Sequence, residues 1–419
     1  MKYAIITYGS RGDVQPYVAL SLGLIGRGHQ VTLLAPENFK TLAEGYGVPF
    51  YPLAGNVEAL LYSPEGLRVL KTGNALSLLR YLQKGGAELQ PLVNKGLLAG
   101  SADADILITS VLPLIWVRNV AEKFNKKWGI VQVNFPAVPT KQYPFAGLAF
   151  FNSPYYNLFT YWLVRYFYWK FNKKSINQFR ETLGLKALGN SAVKEISNSG
   201  TLDLYAISPQ LVARPGDWKS NTDITGYITL PEEIRKNQAT DLVPAGLEEW
   251  LQNGEKPIYI GFGSIPVPDT ELLNSILSKI LENTVHRIIF CIGWSVIEGL
   301  PDHPRLFIVK YVNHQWLFPK CKTAVIHGGA GTTAAVLKAK IPVIIVSIFA
   351  DQPWWGKIIQ NKNLGVHIPF KQLNAKKLLK AIARTEEAGM IKNAIENGEQ
   401  INREDGLKTV LDRLEKHFG

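Results

Sequence analysis

The sequence predicts an α/β protein with two Rossmann-like domains, each a parallel sheet flanked by helices. Short, apolar, β-branched runs alternate with helix-like stretches along most of the chain, which is typical of buried parallel strands and their crossover helices. The alternation lapses near the middle and then resumes, so it forms two series. A length of 419 residues also suits two domains better than one.

The first series supplies the sheet of the first domain. Predicted strands cover residues 2–7, 30–35, 105–110 and 129–134, with helices at 15–27 and 113–126 between them. The pattern lapses from 136 to 198, and a further strand is predicted at 202–207. Proline, glycine, aspartate and lysine are dense from 209 to 236, which indicates a linker there.

The second series begins after that linker. Predicted strands cover residues 257–261, 287–292, 306–309, 323–326 and 343–348. Residues 402–418 form an amphipathic pattern with Leu407, Val410, Leu411 and Leu414 on one face. We therefore predict a first domain over 1–232, a second over 233–400, and a terminal helix over 401–419 that returns to the first. The two domains are expected to face each other across a cleft.

Composition narrows the classes of function. Hydrophobic residues make up 46% and charged residues 19%, and no run of about 18 uninterrupted apolar residues predicts a membrane span. The two cysteines, Cys291 and Cys321, form neither a disulfide framework nor a metal-ligand pattern, which favours the cytoplasm. The net charge of +12 favours nucleotide phosphates or lipid headgroups, whereas dispersed basic residues argue against nucleic acid.

The most informative run extends from His327 to Trp355. A predicted strand is followed by a glycine turn (Gly328, Gly329, Gly331) and a helix. A helix start directs free N–H groups and a positive dipole at a ligand, which suits phosphate, and His327, Thr332 and Thr333 can add donors. Asp351 and Gln352 follow the next strand, where α/β proteins place their ligand crevice. A carboxylate beside an amide suits sugar hydroxyls, so these residues predict a phosphorylated, hydroxyl-rich ligand.

Two other interpretations of this run stay open. The glycines also fit a dinucleotide fingerprint, with an acid about 20 residues further on that could hold a ribose. Two features argue against a nicotinamide enzyme. His327 lies at the end of the predicted strand, and Asp351 is followed directly by Gln352-Pro353 in a loop. The turn could also serve only close packing of strand and helix.

Two motifs, one in each half, resemble a known family. They are YGSRGDVQPYVALSLGL (8–24) and NHQWLFPKCKTAVIHGGAGTT with DQPWWG (313–356), supported by FGS at 262–264. The chain resembles the metal-independent, two-domain (GT-B) nucleotide-sugar glycosyltransferases of the UDP-glycosyltransferase family. Its features are those of the branch with sterol glucosyltransferases and bacterial antibiotic glycosyltransferases. Asn313 replaces a frequent proline of the family, and Ile326 replaces the first of two frequent histidines.

The resemblance implies a role for Asp13 in the first motif. In the family, the acid of GDVQP is the usual candidate for the general base, which takes the proton of the acceptor hydroxyl. Asp13 follows a predicted strand end and a glycine turn, so we expect it to point into the cleft. The alternative is that Asp13 caps the helix that begins near Val14.

The resemblance also implies a donor site in the second half. His327, Gly329, Ala330, Gly331, Thr332 and Ser264 would hold the diphosphate, replacing a metal. Asp351 and Gln352 match the pair that binds sugar hydroxyls, and the base would lie against residues 311–315, at Tyr311 and the backbone of Val312. No cofactor or metal is expected, because the UDP-sugar is a co-substrate.

Aromatic residues predict an apolar acceptor. The candidates are Trp116, Phe135, Phe145, Tyr155 and Phe159. The last two belong to an aromatic, lysine-flanked segment, 155–171, that could instead pack in the core or rest peripherally on a membrane. The sequence therefore predicts an inverting hexosyltransferase that moves a sugar, most simply glucose from UDP-glucose, to a sterol, carotenoid, flavonoid or polyketide hydroxyl. The alternatives are a nucleotide-sugar epimerase, an NAD-dependent oxidoreductase and a non-catalytic lipid-binding relative.

Overall fold

A computed structural model describes residues 1–72, 75–189, 200–231, 234, 243–263, 266–267, 269–293 and 297–419. The chain divides into two compact units. Unit 1 comprises Met1–Val57, Gln83–Leu230 and Asp405–Gly419, and unit 2 comprises Glu58–Leu82 and Pro231–Glu404.

Unit 1 contains a seven-stranded sheet in which every neighbouring pair is parallel. Its strands are β1 (Lys2–Ile6), β2 (Gln30–Pro36), β3 (Phe50–Leu53), β4 (Ile106–Thr109), β5 (Lys127–Gln132), β6 (Leu202–Tyr205) and β7 (Thr222–Ile224). Their order is β3-β2-β1-β4-β5-β6-β7. Ala4, Ile5 and Ile6 of β1 are fully buried, as expected for a strand covered on both faces.

Unit 2 contains a six-stranded parallel sheet in the order β10-β9-β8-β11-β12-β13. Its strands are β8 (Ile258–Gly261), β9 (Ile288–Cys291), β10 (Leu306–Val309), β11 (Thr323–Ile326), β12 (Val343–Ser347) and β13 (Gly365–Pro369). The predicted class, two parallel sheets flanked by helices, is confirmed. Strand β7 lies inside the segment predicted as a linker, so that prediction was wrong for residues 222–224.

Helices connect the strands in both units. In chain order they are α1 (Arg11–Gly26), α2 (Lys40–Gly45), α3 (Val57–Tyr62), α4 (Pro64–Thr72), α5 (Ala75–Gly100), α6 (Leu114–Phe124), α7 (Pro154–Thr182), α8 (Leu247–Gln252), α9 (Thr270–Asn283), α10 (His314–Leu317), α11 (Ala330–Lys338), α12 (Gln352–Asn361), α13 (Ala375–Thr385), α14 (Ala388–Asn402) and α15 (Gly406–Phe418). The long helix α7 fills much of the interval in which the alternating pattern lapses.

The terminal helix α15 packs in the core of unit 1. Val410, Leu411, Leu414 and Phe418 are buried in the same cluster as the apolar side of α1. Charge pairs fix its edge, because Arg27 contacts Asp412 at 2.6 Å and Glu415 at 2.5 Å. The last residues of the chain are therefore an integral part of unit 1.

Candidate functional site

A glycine turn joins β11 to α11 at the carboxyl end of the unit 2 sheet. Gly328 has φ +90°, and a Cβ there would lie 2.6 Å from Ile345 Cγ2, so only glycine fits. The N–H of Thr333 bonds the carbonyl of Gly329 at 2.9 Å. The N–H groups of the first turn, from Ala330 to Thr332, precede any intrahelical acceptor. Because Gly331 is exposed, a ligand can approach these donors and the positive end of the helix dipole.

His327 lies directly before this turn and is 8% exposed. Burial lowers the pKa of its imidazole to about 4, because desolvation disfavours the charged form. The imidazole is therefore neutral near pH 7, with one N–H donor and one acceptor nitrogen. Within the described part of the chain, its Nδ1 has no hydrogen-bond partner.

Two glycines make room for this ring. A Cβ on Gly263 would lie 3.0 Å from His327 Cε1, and one on Gly329 would lie 2.5 Å from Nε2. Gly263 also has φ +65°, a conformation that favours glycine. The FGS motif thus contributes Gly263, which sequence reasoning passed over, whereas its predicted donor residue Ser264 lies outside the described residues.

The predicted sugar-binding pair packs beside the glycine turn. The side-chain oxygen Oε1 of buried Gln352 accepts hydrogen bonds from the N–H groups of Ile348 (2.7 Å) and Phe349 (3.2 Å), so it holds the loop after β12. A Cβ on Gly328 would stand 3.5 Å from Gln352 Cβ, which shows how close loop and turn are. Asp351 is the N-cap residue immediately before α12, and its Oδ2 accepts a hydrogen bond from Trp355 Nε1 at 2.9 Å.

The segment predicted to contact the base follows β10, at the same carboxyl edge of the sheet. The ring of Tyr311 is partly exposed and lies 5.8 Å from Lys310 Nζ, whereas Val312 is buried. Asn313, which replaces the family's proline, caps α10: its Oδ1 accepts from the N–H groups of Gln315 (3.0 Å) and Trp316 (3.5 Å). The substitution therefore keeps a defined helix start.

In unit 1, Asp13 occupies the first turn of α1. Its Oδ2 accepts from the Ser10 N–H at 2.8 Å and the Ser10 hydroxyl at 3.0 Å, so it closes the helix start in the manner of a capping box. Burial raises the pKa of this carboxyl, and hydrogen bonds from Ser10 and Asn134 lower it, with a net rise. Gly9, with φ +138°, leaves the space: a Cβ there would lie 2.4 Å from Oδ2. The capping contact weighed as an alternative role for Asp13 is therefore present.

The predicted acceptor residues fall into three places in unit 1. Phe135 and Phe145 meet edge to face with centroids 4.8 Å apart, and Phe145 meets Tyr161 at 5.8 Å. Trp116 packs against two core clusters. Tyr155 and Phe159 lie on the exposed side of α7, so the structure does not bring them together with Phe135 and Phe145.

Among the residues that the structure describes, no three His, Cys, Asp or Glu side chains cluster in a way that could hold a metal ion. Among the described helices, none combines the length and apolar character needed to cross a bilayer.

Comparison with solved structures gives the class. The glycotransferase of kitacinnamycin superimposes with a TM-score of 0.73 over 99% of this chain and 98% of that chain, at 14% identity. SsfS6, a Streptomyces glycosyltransferase solved with thymidine diphosphate, gives 0.64 over 99% of both chains at 18% identity. The protein therefore has the GT-B glycosyltransferase fold.

Sequence comparison gives the family. The model for the glycosyltransferase family 28 N-terminal domain matches residues 3–96, and that for the erythromycin biosynthesis protein CIII-like C-terminal domain matches residues 267–405. Two sterol 3-beta-glucosyltransferases of Arabidopsis thaliana are 32% and 30% identical over the whole of this chain. The chain spans 66% and 68% of their lengths. The chain therefore belongs to the hexosyltransferase family of these two relatives, as the motifs in its two halves predicted.

Proposed function

We propose that the protein transfers glucose from UDP-glucose to the hydroxyl of a sterol or a similarly flat, apolar alcohol, with inversion at the anomeric carbon. The carrying observation is the environment of His327. A neutral imidazole, held between Gly263 and Gly329, stands at the open start of α11 and beside the loop of Gln352. Phosphate is the ligand that such a helix start favours.

The diphosphate of the donor would accept hydrogen bonds from the first N–H groups of α11, with Thr332 and His327 as further donors. These fixed dipoles would stabilise the charge that develops on departing UDP, which is the task of a metal in other transferases. We therefore propose transfer without a metal cofactor, and activity should survive dialysis against EDTA.

The proposed reaction is a single displacement. The Asp13 carboxylate takes the proton of the acceptor hydroxyl, and the oxygen attacks the anomeric carbon. The bond from that carbon to the diphosphate oxygen breaks, and UDP leaves with the electron pair. A raised pKa supports this role, because a general base works best when its pKa is close to the working pH.

Glucose and UDP are the favoured donor components because the sequence relatives are named glucosyltransferases and the motifs resemble UDP-sugar enzymes. Thymidine diphosphate complexes occur in two structural neighbours, SsfS6 and VinC, so dTDP-sugars are the matched comparison. Asp351 and Gln352 are the proposed contacts of the sugar hydroxyls. Phe135 and Phe145 are the proposed apolar contacts of the acceptor.

The test is UDP release by the purified chain with UDP-glucose and a panel of sterols, carotenoids, flavonoids and macrolides. We expect release that depends on acceptor, and a β-glucoside by NMR. Release or donor conversion without acceptor would favour hydrolysis or epimerisation. Stabilisation of the protein by NAD but not by UDP in a thermal shift assay would overturn the proposal.

A further inference from the structure

One side of α7 exposes a row of large apolar side chains. Tyr155 is 89% exposed, Trp162 57% and Phe159 50%. Leu158 and Tyr166 are exposed beside them. We call these five residues the aromatic face of α7. Large exposed apolar patches on folded proteins mark interaction surfaces.

Helix geometry shows that this face is a continuous stripe. At 100° per residue, its five side chains fall within an arc of about 100°, and 11 residue steps extend for about 16 Å. Three of its rings stack along the helix: the ring centroids of Phe159 and Trp162 are 5.8 Å apart, and those of Trp162 and Tyr166 are 5.6 Å apart. The opposite side is buried, with Asn157, Thr160 and Tyr161 in the core. The helix therefore packs on unit 1 through this side, and its aromatic face is exposed to solvent.

The stripe continues as positive charge. Lys170, Lys173 and Lys174 are exposed on the next turns, and Lys170 and Lys173 follow the same side of the helix by the 3.6-residue period. The sequence contains no aspartate or glutamate from residue 154 to residue 180. Rings followed by lysines, with no acid between, form a pattern that is complementary to an anionic surface with an apolar layer below it.

We propose that the aromatic face of α7 docks on the surface of an anionic lipid bilayer. The rings would enter the boundary between headgroups and acyl chains, where Tyr and Trp are enriched, and the lysines would lie against lipid phosphates. The long row of rings and the adjacent cationic turns favour a bilayer over a protein partner, because a bilayer needs no matching shape. The net charge of +12 also attracts the whole chain to an anionic surface at long range.

Docking would also have a consequence for the acceptor, which rests on the proposed function. The buried side of α7 carries Tyr161, which contacts Phe145, one of the proposed acceptor contacts. The same helix would thus join the lipid surface to the residues proposed to receive a sterol. Docking itself requires no catalysis.

The test is co-flotation of the full chain with phosphatidylcholine vesicles, with and without phosphatidylserine, in the absence of donor and acceptor. We expect binding to the anionic vesicles that weakens with salt. A triple variant, Tyr155→Ser, Phe159→Ser and Trp162→Ser, should lose binding at least about tenfold. Removing lysines (Lys170→Gln, Lys173→Gln) should lower binding to anionic vesicles about fivefold each.

Leu92→Ser is the matched control, because Leu92 is also exposed and apolar in unit 1 but lies on α5. It should bind vesicles as the unchanged chain does. Every variant should keep its melting temperature and its UDP affinity, since none of these residues lies in unit 2. Failure of the unchanged chain to float with either vesicle would overturn the proposal, as would full binding by the triple variant. Self-association that disappears in the triple variant, without vesicle binding, would also overturn it.

Discussion

The imidazole of His327 lies against Gly329, the residue that precedes α11, so closely that a Cβ at position 329 would stand 2.5 Å from Nε2. Gly329 has φ −63° and ψ 141°, which any residue can adopt. Its lack of a side chain is therefore required by the neighbouring ring and not by the backbone. This contact links the histidine to the start of the helix.

Gly329→Ala should weaken the affinity for UDP about tenfold or more. The added methyl group would displace the imidazole from the helix start without straining the backbone. The measurement is isothermal titration with UDP. Gly389→Ala is the control. Gly389 also belongs to unit 2, and a Cβ there would meet no heavy atom within 4 Å. Unchanged affinity in the Gly329 variant would contradict a phosphate role for His327.

His327→Asn should make the stability of the chain without ligand less sensitive to acid. The folded pKa of His327, about 4, lies below its ordinary value, so the unfolded chain takes up the proton first as pH falls. The stability of the unchanged chain should therefore fall from pH 6.5 towards pH 4, by about 3 kcal/mol at most from this group. Urea unfolding at a series of pH values measures it. Parallel pH curves for both proteins would refute the buried, neutral imidazole.

Ser10→Ala should move the acid limb of the pH–rate profile to higher pH. The Ser10 hydroxyl donates to Asp13 Oδ2 and lowers the pKa of that carboxyl, so its removal leaves a base that protonates more easily. The measurement is kcat/KM against pH. Ser21→Ala removes a hydroxyl from α1, the helix that contains Asp13; that hydroxyl donates to the Tyr17 carbonyl, so the variant should leave the limb in place. A limb that does not move in the Ser10 variant counts against Asp13 as the titrating base.

Asp351→Asn should raise KM for UDP-glucose while the affinity for UDP stays the same. Asparagine keeps an oxygen for Trp355 Nε1 but loses the charge that strengthens a hydrogen bond from a sugar hydroxyl. We expect a fall in kcat/KM of about tenfold or more. Competition by UDP provides the reference, since UDP lacks the glucosyl group. An equal loss of UDP affinity would show that Asp351 acts on the nucleotide or on the loop.

The sequence predicted most of the described strands from their apolar residues and missed β3, β7 and β13. Strand β1 contains buried Ala4, Ile5 and Ile6, whereas β3 includes Pro52, β7 includes Asp223 and β13 begins at Gly365. Proline, acid and glycine read locally as loop, and these strands exist because a neighbouring strand in the sheet pairs with them.

The candidate site also contains residues that the sequence could predict and residues that it could not. His327 and the helix start could be predicted because strand, turn and helix are contiguous in sequence. Gly263 and Asn134 were missed, because their roles depend on contacts with His327 and Asp13, which are far away along the chain. The exposed side of α7 could not be predicted either. Aromatic residues occur on all sides of that helix, so no periodicity in the sequence distinguishes buried Tyr161 from exposed Tyr155.

The most direct test of the account is glucosyl transfer by Asp13→Asn, measured at saturating UDP-glucose and acceptor together with its affinity for UDP. Asparagine retains an oxygen for the Ser10 N–H, so the start of α1 should persist, but it cannot accept the acceptor proton. We expect a fall in kcat of about 10²- to 10⁴-fold with unchanged UDP binding. Normal turnover by the folded variant would contradict it.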